Sequence, residues 1–260
     1  MKITTWNVNS LNVRLPHVLD WLAEHPVDVL CLQETKLTDE RFPVQALRDA
    51  GYDAAFCGQK TYNGVALLTR IESVGQASDV VFGNPLFPDE QRRLISATVA
   101  GVRIVNGYFP NGQAPDSDKF VYKLAWIDAL AQWLATERAR HPDLALVGDF
   151  NITRDDLDVH DPEAWRDQIH CTTDERSRLS ALLDSGFIDA FRHCDPTPKS
   201  FSWWDYRQGA FRRNAGLRID LILLTQSLAQ RLRACTIDRE ARKREQPSDH
   251  APVTVDLTSA

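Results

Sequence analysis

Short apolar segments recur along the whole chain, and several of them end abruptly in a polar side chain. Residues 27–32 lead almost at once to Glu34, and residues 144–147 lead to Asp149. Short, nearly continuous apolar runs of this kind are typical of buried strands. Helical periodicity lies between them, most clearly over residues 117–141. This alternation of short strands and helices predicts an α/β fold.

The two halves of the chain follow the same plan of short strands, intervening helices and polar residues at strand ends. The sequence contains no Gly/Ser-rich linker, low-complexity segment or internal repeat. With 43% hydrophobic residues among 260, the chain can bury one substantial core. We therefore predict a single α/β domain over residues 1–260, with two β-sheets packed face to face.

Composition excludes several classes of protein. The N-terminus enters an apolar strand at Ile3 without a basic leader or a long apolar run, so we expect neither a signal peptide nor a membrane span. Five cysteines without C-x-x-C spacing argue against a zinc site and predict reduced thiols and a cytoplasmic location. A net charge of -6 excludes a globally basic nucleic-acid binder, although a local basic patch remains compatible with it.

An acid and an imidazole stand side by side near the C-terminus, at Asp249 and His250. Pro247 and Pro252 stiffen the backbone on either side, and a strand pattern begins at Val253. Adjacent residues of an extended strand point to opposite faces, so these two side chains can act together only if a turn holds them. Taken alone, the pair is also typical of an ordinary surface turn.

Other strand ends carry similar polar groups. Asp220 lies inside the apolar run of residues 217–224, where a carboxylate must find a partner or have its pKa raised. Glu34 could equally be a solvated strand end, and Tyr108 could be either a core aromatic or a phenol aimed into a cleft. The strand-end residues taken together are Asn7, Glu34, Tyr108, Asp149, Asn151, Asp220, Asp249 and His250.

The composition of this set indicates a chemistry. Carboxylates and amides without a cysteine partner suit a hard cation such as Mg²⁺ or Mn²⁺. One imidazole beside acids suits proton transfer or stabilisation of a transition state. A hard metal, a water-activating acid and cationic donors are the groups required for phosphodiester hydrolysis.

The segments that carry these residues resemble the exonuclease III family of DNA-repair nucleases, within the endonuclease/exonuclease/phosphatase superfamily. They are residues 6–9, 32–36, 148–151, 217–220 and 248–252. Their order is that of the family, and they span essentially the whole chain. The resemblance implies a four-layer α/β sandwich, with two mainly antiparallel sheets packed face to face, helices outside, and the site at one end.

The same resemblance implies a set of metal-binding residues. Glu34 is similar to the principal Mg²⁺ ligand, for which Mn²⁺ could substitute, and Asn7 and Asp249 are expected close to the metal. Asp149 resembles the acid that orients or deprotonates the attacking water. Asn151 resembles the amide that helps to place this water and the phosphate. The resemblance also implies that Asp149 and Asn151 belong to the metal site.

The remaining catalytic roles are also implied by the resemblance. His250 is similar to the residue that binds the scissile phosphate, and Asp220 to the carboxylate that fixes its ring. Tyr108 and Asn111 resemble donors on the phosphate side. An imidazolium is favoured when a carboxylate accepts from its other nitrogen, which agrees with these roles.

The expected partner is double-stranded DNA with 3′ ends, 3′ blocks or abasic sites. We expect the protein to bind it as a monomer, and we expect no interaction with a membrane. Trp203, Leu217 and Ile219 match the family's pocket for a base-less sugar, although core packing is the alternative for one of Trp203 and Trp204. Candidate contacts to the DNA backbone, of which we expect about half to touch DNA, are Lys36, Arg92, Arg93, Arg207, Arg212 and Arg213.

The chain departs from the family at residues 170–176. His170 stands where the resemblance expects a small residue, and Cys171 where it expects Phe. A drifted surface loop is one interpretation. Our hypothesis is that the imidazole of His170 reaches toward the 3′ side of bound DNA and obstructs continuous duplex. The enzyme would then favour 3′ ends over internal abasic sites.

Two other functions remain open at this point. The chain could belong to a superfamily branch that acts on inositol phosphates or sphingomyelin, or it could be a nucleic-acid-binding relative without catalysis. The aromatic and basic stretch after Phe201 favours DNA over the first alternative. The second would show substitutions at Glu34, Asp149, Asn151 or Asp249, and none is present.

Overall fold

A computed structural model describes residues 1–197 and 199–258. Its strands are β1 (Lys2–Asn7), β2 (Val29–Gln33), β3 (Tyr52–Cys57), β4 (Val65–Arg70), β5 (Ser78–Phe82), β6 (Leu94–Val99), β7 (Val102–Tyr108), β8 (Leu144–Asp149), β9 (Phe187–Asp189), β10 (Asp220–Thr225), β11 (Leu232–Ile237) and β12 (Val253–Leu257). Its α-helices are α1 (Leu11–Glu24), α2 (Val44–Asp49), α3 (Ile71–Val74), α4 (Asp118–Arg140), α5 (Thr173–Asp184), α6 (Ala190–Cys194), α7 (Ala210–Arg213) and α8 (Gln226–Ala229).

The strands form two six-stranded sheets with matching plans. The first has the order β11-β12-β1-β2-β4-β3 and the second the order β5-β6-β7-β8-β10-β9. The pairs β1–β2 and β7–β8, at the centres of the two sheets, are parallel, and the other paired strands are antiparallel. The predicted pair of mainly antiparallel sheets is therefore confirmed.

A core between the sheets holds them face to face. The first sheet contributes Ile3, Val29 and Cys31, and the second contributes Ile104 and Val147. All are buried, so this surface is removed from water on both sides of the contact.

Helices cover the outer faces. Trp21 of α1 packs with Leu32 of the first sheet, and Trp126 of α4 and Leu179 of α5 pack with Leu146 of the second. Because side chains alternate along a strand, each central strand faces the other sheet on one side and helices on the other. The order of layers is helix, sheet, sheet, helix, as expected for a four-layer sandwich.

A polar bridge crosses between the sheets beneath the strand ends. The Gln33 amide donates to Asn106 Oδ1 at 2.7 Å and to Thr5 Oγ1 at 2.9 Å. The Asn106 amide in turn donates to the carbonyl oxygens of Leu32 and Ala66. Because these buried amide groups are hydrogen-bonded across the sheets, they fix how the two sets of strand ends meet.

The observed strands differ from the sequence pattern in two ways. The apolar run of residues 217–224 forms a strand only from Asp220 onward, so this acid is the first residue of β10 rather than embedded within a strand. The strands β5, β9 and β11 are not predicted by the apolar pattern. None of the helices in residues 1–197 and 199–258 combines the length and apolar character needed to cross a membrane.

Candidate active site

The predicted strand-end residues meet at one edge of the sandwich. The parallel register of β7 and β8 places Tyr108 beside Asp149, and the antiparallel register of β8 and β10 places Asp220 on the other side of Asp149. Asn7 ends β1 of the other sheet, and Glu34 directly follows β2. Both sheets therefore deliver side chains to one place.

Two carboxylates and an amide form the centre of the site. The Asn7 amide donates to Glu34 Oε1 at 2.8 Å and to Asp149 Oδ2 at 2.9 Å, and so bridges acids from the two sheets. Ligand atoms of Glu34, Asp149 and His250 all lie within 4.8 Å of one another. Hard oxygen donors at this spacing fit a divalent cation such as Mg²⁺.

Asp149 is buried and closely held. Its Oδ1 accepts the Asn151 backbone N–H at 2.9 Å, and its Oδ2 accepts the Asn151 amide at 3.2 Å. Burial raises the pKa of Asp149 to about 7, against the opposing effect of the His250 charge. Gly148 is required just before it, since a Cβ there would lie 1.8 Å from the carbonyl oxygen of Gly107.

His250 is paired with Asp220. Its Nδ1 lies 2.8 Å from Asp220 Oδ2, which also accepts a hydrogen bond from Ser202 Oγ at 2.7 Å. Burial by itself lowers the pKa of His250, but the carboxylates of Asp220 and Asp149 outweigh it and raise this pKa to about 10. The ring is therefore an imidazolium at neutral pH, with Nε2 3.8 Å from Asp149 Oδ2. As a cation it cannot ligate a metal, which leaves the carboxylate and amide oxygens for that purpose.

Asp249 lies at the side of this centre. Its carboxylate accepts from Asn9 Nδ2 and from Trp203 Nε1, each at 3.0 Å. Burial acts to raise the pKa of Asp249, but the His250 charge and these hydrogen bonds outweigh burial. The pKa therefore lies below its usual value, and the group is ionised. The structure thus ties Asp249 to its neighbours and places it outside the closest group of possible ligands.

Lys36 lies inside the site rather than free on the surface. Its ammonium group is 2.9 Å from Glu34 Oε2 and donates to Asn9 Oδ1 at 2.6 Å. Asn9 therefore links the Glu34 side of the site to Asp249. Asn9 was missed as a site residue, although it follows Asn7 in the segment that carries the resemblance.

Tyr108 and Asn111 border the acids. Burial, together with the Glu34 and Asp149 charges, holds the pKa of the Tyr108 phenol well above 10, so it remains a hydrogen-bond donor. The Arg93 guanidinium lies 4.7 Å from the centre of its ring. The Asn111 amide donates to Asn151 Oδ1 at 3.3 Å.

An apolar cluster adjoins the polar centre. Leu217 and Ile219 are buried together with Val159 and Cys171, and Trp165 and Trp203 pack against them while staying partly exposed. Val159 and Trp165 were missed by the sequence analysis because they lie in an irregular, charged segment. Trp204, in contrast, is fully buried among other side chains, so core packing accounts for it.

His170 is placed differently from our expectation. The ring does not reach out toward solvent. It is 6% exposed, and its Nδ1 lies 2.6 Å from the carbonyl oxygen of Asn151. The ring of Trp165 lies 6.3 Å away, centre to centre. The prediction that the imidazole projects toward solvent-side DNA is therefore wrong in its geometry, and the ring lies between Asn151 and the apolar cluster.

Arg212 and Arg213 lie on α7 and are exposed. Arg213 Nε donates to the carbonyl oxygen of Gln208, and neither guanidinium contacts the central acids. They lie nine and ten residues after Trp203 in the chain. Their contact with DNA stays a prediction.

Comparisons with known proteins agree with this fold and site. The Endonuclease/Exonuclease/phosphatase family matches residues 4–250. Exodeoxyribonuclease III of Haemophilus influenzae is 37% identical over 97% of this chain and 98% of its own. The 3′ phosphatase NExo of Neisseria, solved bound to a product DNA hairpin, is 49% identical, covers 100% of both chains and superposes with a TM-score of 0.96. An AP endonuclease from Archaeoglobus fulgidus is 36% identical over 100% of both chains, with a TM-score of 0.95.

A two-sheet sandwich with acids, amides and an imidazolium at one end defines a class of hydrolases that cleave phosphate esters. The chain belongs to the Endonuclease/Exonuclease/phosphatase family. Its relatives in this family are nucleases, and it is an enzyme of the same hydrolytic type.

Proposed function

We propose that the chain is a Mg²⁺-dependent DNA-repair phosphodiesterase of the exonuclease III type. It acts on double-stranded DNA as a 3′ exonuclease and a 3′-phosphatase or repair diesterase, with incision at abasic sites as a further activity. The observation that carries this proposal is the facing pair of Asp149 and His250, in which ring Nε2 lies 3.8 Å from Asp149 Oδ2 while Nδ1 lies 2.8 Å from Asp220 Oδ2. We further propose that it works as a cytoplasmic monomer of one domain.

In the proposed reaction, Asp149 takes a proton from the water that attacks phosphorus. As the new bond to phosphorus forms, the bond between phosphorus and the 3′ oxygen breaks, and this oxygen takes up a proton from solvent. The hydrogen bonds between Asn151 and Asp149 hold the amide where it can orient the water. His250 and the Tyr108 phenol donate hydrogen bonds to the phosphate oxygens as negative charge develops on them. The carboxylate of Asp220 keeps the His250 ring charged and fixed.

The residues present fit a hard metal. Glu34 and Asp149 would hold Mg²⁺, or Mn²⁺ in its place, with Asn7, Asn151 and Asp249 around them. When bound, such an ion supplies positive charge that neutralises phosphate oxygens. Asn7 keeps the two acids together by donating to both of them.

The apolar cluster and its aromatic side chains support DNA as the substrate. The partly exposed ring of Trp203, backed by the buried Leu217 and Ile219, is suited to pack against the sugar or base next to the scissile phosphate. Arg212 and Arg213 lie exposed nearby in sequence and would contact the backbone. The 3′-phosphatase activity of the Neisseria relative supports 3′ ends as the preferred position.

An assay on duplex DNA tests this function. We expect Mg²⁺-dependent release of phosphate from a 3′-phosphate end and shortening of a 3′-hydroxyl end, both abolished by EDTA. Glu34→Ala should nearly abolish turnover without unfolding the chain, because it removes a ligand rather than core volume. Glu40→Ala, which removes an exposed acid, should leave turnover unchanged.

The same assay separates the alternatives. A non-catalytic relative would bind the duplex without cleaving it in any divalent ion. A phosphatase for inositol phosphates or sphingomyelin would cleave those substrates and leave DNA intact. Either result would contradict the proposal.

A further inference from the structure

A buried lysine lies behind the two loops that carry Asn111 and Asn151. Lys123 is on α4, whose first turn is capped by Ser117, and its side chain is 0% exposed. A buried ammonium group is costly unless charged and polar partners surround it. Its partners therefore indicate what holds it there.

The ammonium group of Lys123 has a hydrogen-bond partner on each of these two loops. It donates to the carbonyl oxygen of Asn151 at 2.7 Å and to that of Asn111 at 3.1 Å. It also pairs with the carboxylate of Glu175, at the start of α5. Neither Lys123 nor Glu175 contacts the central acids through a hydrogen bond within the described residues.

Glu175 extends the same network to the loop before α5. Its carboxylate accepts the backbone N–H groups of His170 and Thr172 and the Thr172 hydroxyl. The Asn151 carbonyl oxygen thus accepts a hydrogen bond from the Lys123 ammonium group and also contacts Nδ1 of the His170 ring. Lys123 and Glu175 together join the loops that carry Asn111, Asn151 and His170.

The backbone at Asn151 needs such support. Its φ of 51° lies in the left-handed region, which is unfavourable for a residue with a side chain. Gly112, with a φ of +90°, packs so closely on the Lys123 stem that a Cβ would lie 3.0 Å from Lys123 Cδ. The stem and the ammonium group therefore fix the conformation of both loops.

We propose that Lys123, held by Glu175, is a positioning residue that sets the orientation of Asn151 toward Asp149. Removing the ammonium group leaves the Asn151 carbonyl with the His170 ring as its side-chain partner, so the loop is held from one side only and the amide is less tightly fixed relative to Asp149 Oδ2. The inference rests on the proposed function, because its effect is on the chemical step of that reaction.

Lys123→Met provides the test, with Arg103→Met as its matched control. Arg103 makes a buried ion pair with Glu137 at 2.7 Å, but it is opposite Leu144, at the other end of the parallel strands from Tyr108 and Asp149. Both substitutions leave a buried glutamate unpaired, so both should lower the Tm. Turnover is measured below both melting temperatures, with circular dichroism as the check on folding.

Only Lys123→Met should slow the reaction. We expect its kcat to fall by about 30-fold or more with KM nearly unchanged, since small misplacements of reacting groups cost this much. Arg103→Met should keep both constants. If either single variant fails to fold, Lys123→Met/Glu175→Gln and Arg103→Met/Glu137→Gln make the same comparison without an unpaired carboxylate.

A double-mutant cycle distinguishes positioning from a general loss of structure. If Lys123 acts through Asn151, adding Lys123→Met to Asn151→Ala should lower kcat by no more than about 3-fold further. Fully additive losses, or an equal loss in Arg103→Met, would overturn the inference. An inactive wild type would contradict the proposed function itself, whereas an active wild type with an unaffected Lys123→Met variant would contradict this inference alone.

Discussion

At the residue scale, the site depends on groups that alter one another's protonation. His250 is charged because two carboxylates face it, and Asp149 titrates near neutrality because it is buried. His170 is the opposite case. Burial and the nearby Lys123 charge lower its pKa from 6.5 to about 3, so its ring is neutral where it contacts Asn151. Each of these states follows from position in the fold rather than from residue type.

His170→Gly tests whether this ring selects the substrate. The ring lies between Asn151 and the apolar cluster, so its removal should open space there for an internal abasic sugar. We expect incision at abasic sites to rise relative to 3′-phosphate removal, by about 10-fold or more. The φ of 75° at this position suits glycine, so the backbone should not be strained. A wild type that already incises abasic sites efficiently, or an unchanged ratio in the variant, would rule out this role.

The pH dependence of stability checks the ring's environment in the same variant. The folded-state pKa of His170 lies below its unfolded value, so its contribution to stability is complete above pH 6.5 and is lost as pH falls toward 3. The wild type should lose up to about 1.4 kcal/mol per pH unit from this group in that range. His170→Gly lacks this loss, so its free energy of unfolding should fall less steeply. Parallel curves for the two proteins would show that the ring is accessible.

At the element scale, the sequence was informative where strands and helices are buried. Every residue of β8 is buried, and its apolar run was recognised together with the acid that ends it. The strands β5, β9 and β11 lie at sheet edges. β5 and β11 bury few side chains, so they carry little apolar pattern. They form because central strands offer them hydrogen-bonding partners, which the local sequence does not record.

Lys123 shows a second limit of sequence reasoning. It lies three residues after Phe120 and four before Ile127, on the apolar stripe of α4, and this spacing is the signal that could have found it. Lysines on helices are usually exposed, so the charge alone gave no reason to examine it. Its partners come from the loops at Asn111 and Asn151 and from Glu175 of α5, and only the fold brings them together. By contrast, Asn7 and Glu34 follow apolar runs, and Asp220 interrupts one, so the sequence itself indicates these residues.

The exposed helix α7 carries a testable electrostatic contact. Changing Arg212 and Arg213 together to Ala should weaken DNA binding. Each phosphate contact that forms on binding releases counterions from the DNA, so a variant with fewer contacts releases fewer of them. We expect the slope of log Kd against log salt to flatten by up to about two units.

A matched control is Arg140→Ala with Arg233→Ala. These exposed arginines lie near the ends of elements remote from the site, in α4 and β11. This variant loses the same charge, so it should leave the salt slope as it is in the wild type. Equal slopes for the two double variants would place the DNA contact elsewhere.

At the scale of the whole molecule, the site exists only where the two sheets meet. Asn7 and Glu34 come from the first sheet, and Asp149 and Asp220 come from the second. His250 precedes β12 of the first sheet but pairs with Asp220 of the second. The apolar core and the Gln33 bridge therefore position the catalytic groups as well as stabilise the fold.

Asp149→Asn tests the central claim, that a carboxylate and an imidazolium brought together by the two sheets hydrolyse phosphate esters in DNA. The single-turnover rate and the Kd should be measured on one duplex with a 3′ phosphate. We predict that the rate falls by about 10²–10⁴-fold, because the base is lost. The Kd should stay equal or become tighter, because a negative charge facing the phosphate is removed. A variant that keeps a rate within a few-fold of the wild type would contradict the account.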